Sequence, residues 1–194
     1  MPVFPLPDYV LFPAVTARLH IFEERYRAMI GHALDQKGVF CMGTLRGSWE
    51  EEYHTKKPEM YSIGCACQVV DYNRLPDGRY DIQIEGLRKV SMIEIPSEQD
   101  YRQVRVRVLE PDIQPTMSTD ARSRIRKLAG ELLVERSGGR HEMVECVKEM
   151  RISNLINMLG FHSAAPVAEK LALLSMGTYA QMCATILRLY DAEG

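Results

Sequence analysis

Up to residue 21 the apolar positions come in short bursts, Val10–Leu11–Phe12 and Leu19–His20–Ile21, set among prolines at 2, 5, 7 and 13. Proline fixes φ and donates no ladder hydrogen bond, so this opening predicts short extended pieces. From Phe22 the period changes. Phe22, Tyr26, Met29, Ile30 and Ala33 recur at helical spacing, with Glu23, Glu24, Arg25 and Arg27 between them. The expectation is a β-arch feeding an amphipathic helix that packs against it.

The stretch from Val39 to Glu110 reads largely as strands. Val39–Leu45 is a short apolar run, and a strand from Ser62 to about Asn73 meets one from Tyr80 to Glu85 across Pro76–Asp77–Gly78. Asp-Gly readily supplies the positive φ that hairpin turns need. Leu87–Ile95 and Tyr101–Glu110 continue the sheet; in the latter Val104, Val106 and Val108 alternate with Arg105 and Arg107, which predicts one buried and one wet face. Consecutive antiparallel strands of this kind suggest a partly closed barrel.

Pro111–Asp112–Ile113–Gln114–Pro115 reads as a hinge, and the pattern beyond it is helical throughout. Ser118 or Thr119 caps a helix with the stripe Ala121, Ile125, Leu128 and Leu132, ended by Ser137–Gly138–Gly139. A second helix from about His141 carries Met143, Val147, Met150 or Arg151, Leu155, Met158 and Leu159. Pro166 falls in the first turn of a third. Gly177 reads as a C′ glycine, followed by a capping box from Thr178 to Gln181 that opens the last helix. The fold class is therefore α+β: a β lobe over residues 1–112 and a helical bundle over 116–194.

Composition narrows the function more than the fold. A net charge of −2, from 24 basic against 26 acidic residues, gives no global field toward nucleic acid or an anionic membrane. No basic residue precedes Arg18, so the start is not read as a secretory signal. The longest uncharged stretch, Leu171–Leu187, contains Ser175, Gly177, Thr178 and Gln181 and reads as two buried helices, not a membrane span. The five cysteines (41, 65, 67, 146 and 183) read as free thiols in a reducing, cytoplasmic setting.

Candidate chemistry is sparse. Cys65 and Cys67 share a strand face, but a zinc site needs about four ligands and no second Cys/His pair has metal spacing. No metal or cofactor is expected. No P-loop and no G-x-S-x-G elbow is present. Glu23, Arg25, Tyr26, Glu85 and Gly86 read as anchors of helix to barrel, since a carboxylate without a partner base makes a poor acid–base group. His20 reads as a satisfied core histidine. Arg122, Arg124, Arg126 and Lys127 form a basic run on an amphipathic helix, with no aromatic base-stacking motif beside it.

The segment Arg46–Met60 crowds charges around the lone Trp49, with Tyr53 and Met60. Two readings stand: aromatics covering a barrel edge, or Trp49, Tyr53 and Met60 offering an apolar contact to a client.

Leu6–Ile30, with Phe12, Pro13, His20, Phe22, Glu23, Arg25 and Tyr26, resembles the opening of the Lon protease N-terminal domain family. Ser62–Val69, the Leu75–Tyr80 and Ile84–Arg88 hairpin, and Asn157–Leu159 with Glu169–Leu174 are similar to its later motifs, in the same order. Ala14 stands where the family usually has glycine, and Glu24 where proline is common. The resemblance implies a PUA-like β pseudo-barrel followed by helices. It also implies recognition of unfolded or damaged polypeptide, or of a protease partner, in a stand-alone member. The family's ATPase motif and the surround of its peptidase serine are absent here, so no enzyme activity is expected. The alternatives are an RNA-binding PUA-like module and an enzyme with an unrecognised site. Oligomeric state is left open.

Overall fold

The computed structural model describes residues 1–47, 49–52, 58–110 and 117–193. The chain divides into two compact units, Met1–Leu109 and Glu110–Gly194. The hinge expected at 111–115 and the aromatic Tyr53 lie outside the described residues.

The first unit carries strands β1 (Val3–Leu6), β2 (Thr16–Ile21), β3 (Val39–Thr44), β4 (Ile63–Arg74), β5 (Tyr80–Ile95) and β6 (Gln103–Val108), with helix α1 (Glu24–Asp35) and the short α2 (Trp49–Glu52). Their order is β1-β3-β4-β5-β2, with β6 also on β5. A bridge between Pro2 and Gln103 and a Val104 N–H to Met1 carbonyl bond of 2.9 Å join β1 back to β6. β1, β3, β4, β5 and β6 thereby close into a ring. Its interior holds Val3, Cys41, Ala66, Val90, Met92 and Val104.

Pro5 sits inside β1, which pairs in parallel with β3. The Val3 N–H goes to the Arg102 carbonyl, away from β3, and Pro5 two residues on points the same way. Its missing N–H therefore removes no bond from the β1–β3 ladder. The burst at Val10–Phe12 is not a strand, although all three residues are buried. These side chains are apolar because an irregular segment lies over the core, and apolarity alone does not distinguish the two cases.

β5 runs as one strand where two are expected. It pairs with β2 through Tyr80–Glu85 and with β6 through Val90–Ile95, changing partner around Gly86. Opposite Gly86 the β4 ladder shifts register between Ala66 and Cys67, leaving Leu87 as the extra residue of a bulge. The β4–β5 hairpin follows its turn chemistry: Gly78 has φ of 84°, and its N–H reaches the Leu75 carbonyl at 2.9 Å. On β6 the alternation fades along the strand, with Val104 buried, Val106 half-buried and Val108 exposed.

α1 buries Tyr26, Met29, Ile30 and Ala33. Phe22 lies outside the helix and is 62% exposed, so it does not join that stripe.

The second unit is helical: α3 (Thr119–Arg136), α4 (Met143–Glu149), α5 (Ile152–His162), α6 (Val167–Ser175) and α7 (Tyr179–Glu193). Ser118 Oγ accepts the Ala121 N–H at 3.2 Å, a standard N-cap. The helix expected from His141 is two helices, broken where Met150 and Arg151 take extended ψ angles of 143° and 138°. Apolar spacing continued across that break, which hid it. Gly177 is not at positive φ, so it is no left-handed cap. Thr178 Oγ1 does accept the Gln181 N–H at 3.1 Å. Ile125, Ala129, Val147, Leu155, Ile156, Leu159, Leu173 and Ile186 are buried in this unit.

Candidate functional site

Several motif residues of the opening segment are buried or bonded within the first unit. Phe12 is fully buried. A Cβ on Gly86 would lie 2.2 Å from the Phe12 carbonyl oxygen, so only glycine permits this approach. Gly86 donates to the Val15 carbonyl at 2.9 Å and accepts from the Ala14 N–H at 2.7 Å, clamping the Pro13–Val15 arch to β5. Ala14 holds φ of 59° in that arch, the conformation that suits glycine. Arg25 pairs with Glu23 at 2.8 Å and lies 4.5 Å above the ring of Tyr26, which tilts against Phe4 at 4.4 Å. The Tyr26–Phe4 contact joins α1 to β1, whereas the Arg25–Glu23 pair lies within the start of the helix. Glu85 is exposed on β5, opposite Thr16.

His20 is not in the core. Its Nδ1 lies 2.6 Å from Asp81 on the exposed face of β2 and β5, and Arg79 approaches its Nε2 at 3.3 Å while pairing with Asp77 at 2.6 Å. Phe22 stacks near the His20 ring at 6.3 Å. The sequence held no local signal for this cluster: His20 and Asp81 occupy outward positions of β2 and β5 and lie 61 residues apart in the chain. Register decides whether they meet, and register is not legible from one strand.

Cys41, Cys65 and Cys67 are buried. The Cys65 thiol donates to the Ala66 carbonyl and the Cys67 thiol to the Phe40 carbonyl, both at 3.4 Å. Burial pushes the Cys41 thiol up to about 12 and raises Cys65 and Cys67 further. Protonated thiols of this kind are small core hydrophobes.

Around the Arg46–Met60 segment, Trp49 is half-buried on α2, and Met60 bridges to Leu45. Met60 packs on the ring's interior; a Cβ on Gly43 would lie 2.6 Å from its sulfur. Part of Met60 therefore belongs to the core. Its remaining surface lines a cleft of about 270 Å³ with Tyr61 and Met92. Two ion pairs flank this cleft, Arg46–Glu59 at 2.7 Å and Arg102–Glu94 at 2.6 Å.

The basic run on α3 is engaged within its own unit. Arg122 donates to the Met117 carbonyl, Arg124 pairs with Asp191 at 2.6 Å, and Lys127 sits 3.8 Å from Glu131. Arg126 donates to the carbonyls of Val147, Lys148 and Met150 at the end of α4. These cations satisfy helices and carboxylates, which disfavours a phosphate-tracking patch. Among the described residues, no helix is long and apolar enough to cross a membrane.

Comparison with known proteins places these features. Residues 1–191 match the family model for the ATP-dependent protease La (Lon) substrate-binding domain. The Lon protease of Flavobacterium johnsoniae is 23% identical over all of this chain, and that of Anaeromyxobacter dehalogenans is 24% identical over 90% of it. The chain spans 24% and 21% of those relatives, about a quarter of their length or less. The N-terminal domain of Mycobacterium avium complex Lon protease has a similar fold, with a TM-score of 0.73 at 17% identity, covering 98% of this chain and 97% of that one. A Lon N-terminal domain protein from Xanthomonas campestris gives 0.70 at 16% identity, covering 97% and 96%. With the family model matched across nearly its full length, this chain belongs to the Lon substrate-binding domain family.

Proposed function

We propose that this chain is a non-catalytic, cytoplasmic polypeptide-binding module that recognises unfolded or damaged protein, or a protease that handles it. The observation that carries this reading is the substrate-binding-domain match over residues 1–191. The geometry supports it. Glu23, Arg25, Asp77, Arg79 and Arg126 serve the helix start, the hairpin turn and the end of α4, and four of the five thiols are buried. A module of this kind acts through surface.

The contact is assigned to Trp49, Tyr53 and Met60, of which Met60 lines the cleft flanked by the Arg46–Glu59 and Arg102–Glu94 pairs. Aromatic and methionine side chains on an irregular segment suit adaptable, low-specificity capture. The test is Trp49→Ala combined with Tyr53→Ala, titrated against a fluorescent, permanently unfolded protein such as reduced carboxymethylated lactalbumin. Loss of an aromatic anchor costs ~2 kcal/mol, about thirtyfold in affinity. The melting temperature should stay within the range of surface changes, ~0.5 kcal/mol of stability. Undiminished binding would move the contact elsewhere, and an unfolded variant would assign these aromatics to the core.

A further inference from the structure

The geometry points to the outer edge of β2 as a second recognition element, where an extended client segment adds as a strand with a carboxylate opposite Arg18 and an apolar ring opposite Phe22. This rests on the polypeptide-binding reading and names the backbone chemistry and side-chain pattern of the client.

β2 is the last strand of the order β1-β3-β4-β5-β2. The phase of its ladder follows from one bond. Val15 and Gly86 stand opposite each other in the register that runs Thr16–Glu85, Ala17–Ile84, Arg18–Gln83, and the Gly86 N–H donates to the Val15 carbonyl at 2.9 Å. A bond between directly opposed residues marks a hydrogen-bonded pair, and such pairs alternate along an antiparallel ladder. Ala17, Leu19 and Ile21 therefore turn their backbone groups toward β5. Thr16, Arg18 and His20 turn theirs outward. Among the described residues nothing hydrogen-bonds to those outward groups. A row of alternating donors and acceptors at strand spacing is complementary to another extended backbone.

The side chains define what that backbone carries. Thr16, Arg18, His20 and Phe22 alternate onto one face of the edge. His20 is held by Asp81, whereas Arg18 is exposed and makes no hydrogen bond or ion pair among the described residues. The diagonal neighbours of Arg18 on that face are Glu85, opposite Thr16, and Asp81, which pairs with His20, while Asp71 lies one strand further out beyond Gln83. Phe22 presents its exposed ring four residues from Arg18. On the other face Ala17 and Leu19 are half-buried and offer apolar contact. An antiparallel client thus carries a ring and, four residues later, a carboxylate, with apolar residues between at alternate positions. A second copy of this chain fits less well, because self-pairing centred on the strand sets two Arg18 guanidinium groups against each other.

The test uses the intact protein and a fluorescein-labelled peptide, Val-Phe-Val-Thr-Val-Glu-Val flanked by Gly-Ser, read by anisotropy. N-methylation of its Thr and Glu amides, which face β2 in this register, should weaken binding at least tenfold. N-methylation of the two valines flanking Thr should leave it within twofold. Arg18→Glu should weaken the peptide about tenfold, with partial recovery when the peptide Glu is replaced by Lys, at an unchanged melting temperature. Equal effects of the two methylation patterns, or indifference to Arg18→Glu, would overturn the proposal even if carboxymethylated lactalbumin still binds. Failure of both probes would overturn the polypeptide-binding reading as well. A concentration-dependent dimer by sedimentation that dissociates on Arg18→Glu would assign the edge to a second copy and also overturn it.

Discussion

Two residues at the arch that joins the opening segment to β5 carry opposite backbone demands. Ala14 occupies left-handed φ at 59°, a conformation costing an L-residue roughly 1–2 kcal/mol, part of which is offset because alanine has less unfolded-state entropy to lose than glycine. Ala14→Gly should therefore stabilise the protein by about 0.5–1 kcal/mol, read from denaturant midpoints at constant m-value. Gly86→Ala should do the reverse by ~3 kcal/mol or more, because its Cβ would lie 2.2 Å from the backbone oxygen of Phe12, which has no rotamer by which to yield. The motif residues were legible in the sequence, but the positive φ at Ala14 was not, since alanine there gives no conformational signal. The thiols give a second residue-level prediction. Of the five cysteines only Cys146 is exposed, so a thiol reagent at pH 7.5 should label one rapidly in the native protein and all five in denaturant. Burial raises the Cys41 thiol to about 12 when folded, so its contribution to stability is complete below roughly pH 8.5. That contribution is lost as pH climbs from there toward 12.

Elements with a local signature were the ones the sequence revealed. The Pro76–Asp77–Gly78 turn, the Ser118 cap and the α1 stripe of Tyr26, Met29, Ile30 and Ala33 each follow from chemistry within four residues. What stayed hidden depends on partners far along the chain. β5 is one strand because β2 and β6 share its edge in succession, and the closure of β1 on β6 joins residues about a hundred apart. The break between α4 and α5 was masked by continuous apolar spacing, and the structure shows what holds α4. Arg126 donates to three carbonyls at its end, both satisfying orphan acceptors and opposing the helix dipole. Arg126→Met retains the stem and removes these bonds. It should cost about 1–2 kcal/mol and accelerate amide exchange in α4 before α3. Unchanged exchange in α4 would refute that role. In α5, burial together with Arg136 and Lys170 lowers His162 to about 4. Its neutral form stabilises the fold fully above about pH 6.5, the unfolded value, and that stabilisation is lost as pH falls through about 4. His162→Gln should flatten the stability profile between pH 6.5 and 4; an unaltered slope would mean another group governs it.

At the scale of the whole molecule, the α+β order and the succession of family motifs were readable because both are one-dimensional. The candidate surface was not, because exposure is a property of packing. Phe22 reads as helix core and is 62% exposed, while Met60, for which both a barrel-edge and a client-contact reading stood open, is partly core. His20 reads as buried and instead forms an exposed pair with Asp81. The reversals at Phe22 and His20 place aromatic and polar groups where a polypeptide could meet them, on a chain whose matched family is one of substrate-binding domains. As a polypeptide-binding module, the protein should distinguish non-native from native polypeptide without chemistry. The direct measurement is calorimetric titration of the purified chain with one protein in two forms, native lactalbumin and its reduced carboxymethylated form, with and without ATP. The expected result is saturable binding of the unfolded form alone, with a negative heat-capacity change from apolar burial, unaffected by ATP and without cleavage. Equal affinity for both forms, or ATP turnover by the purified chain, would contradict it.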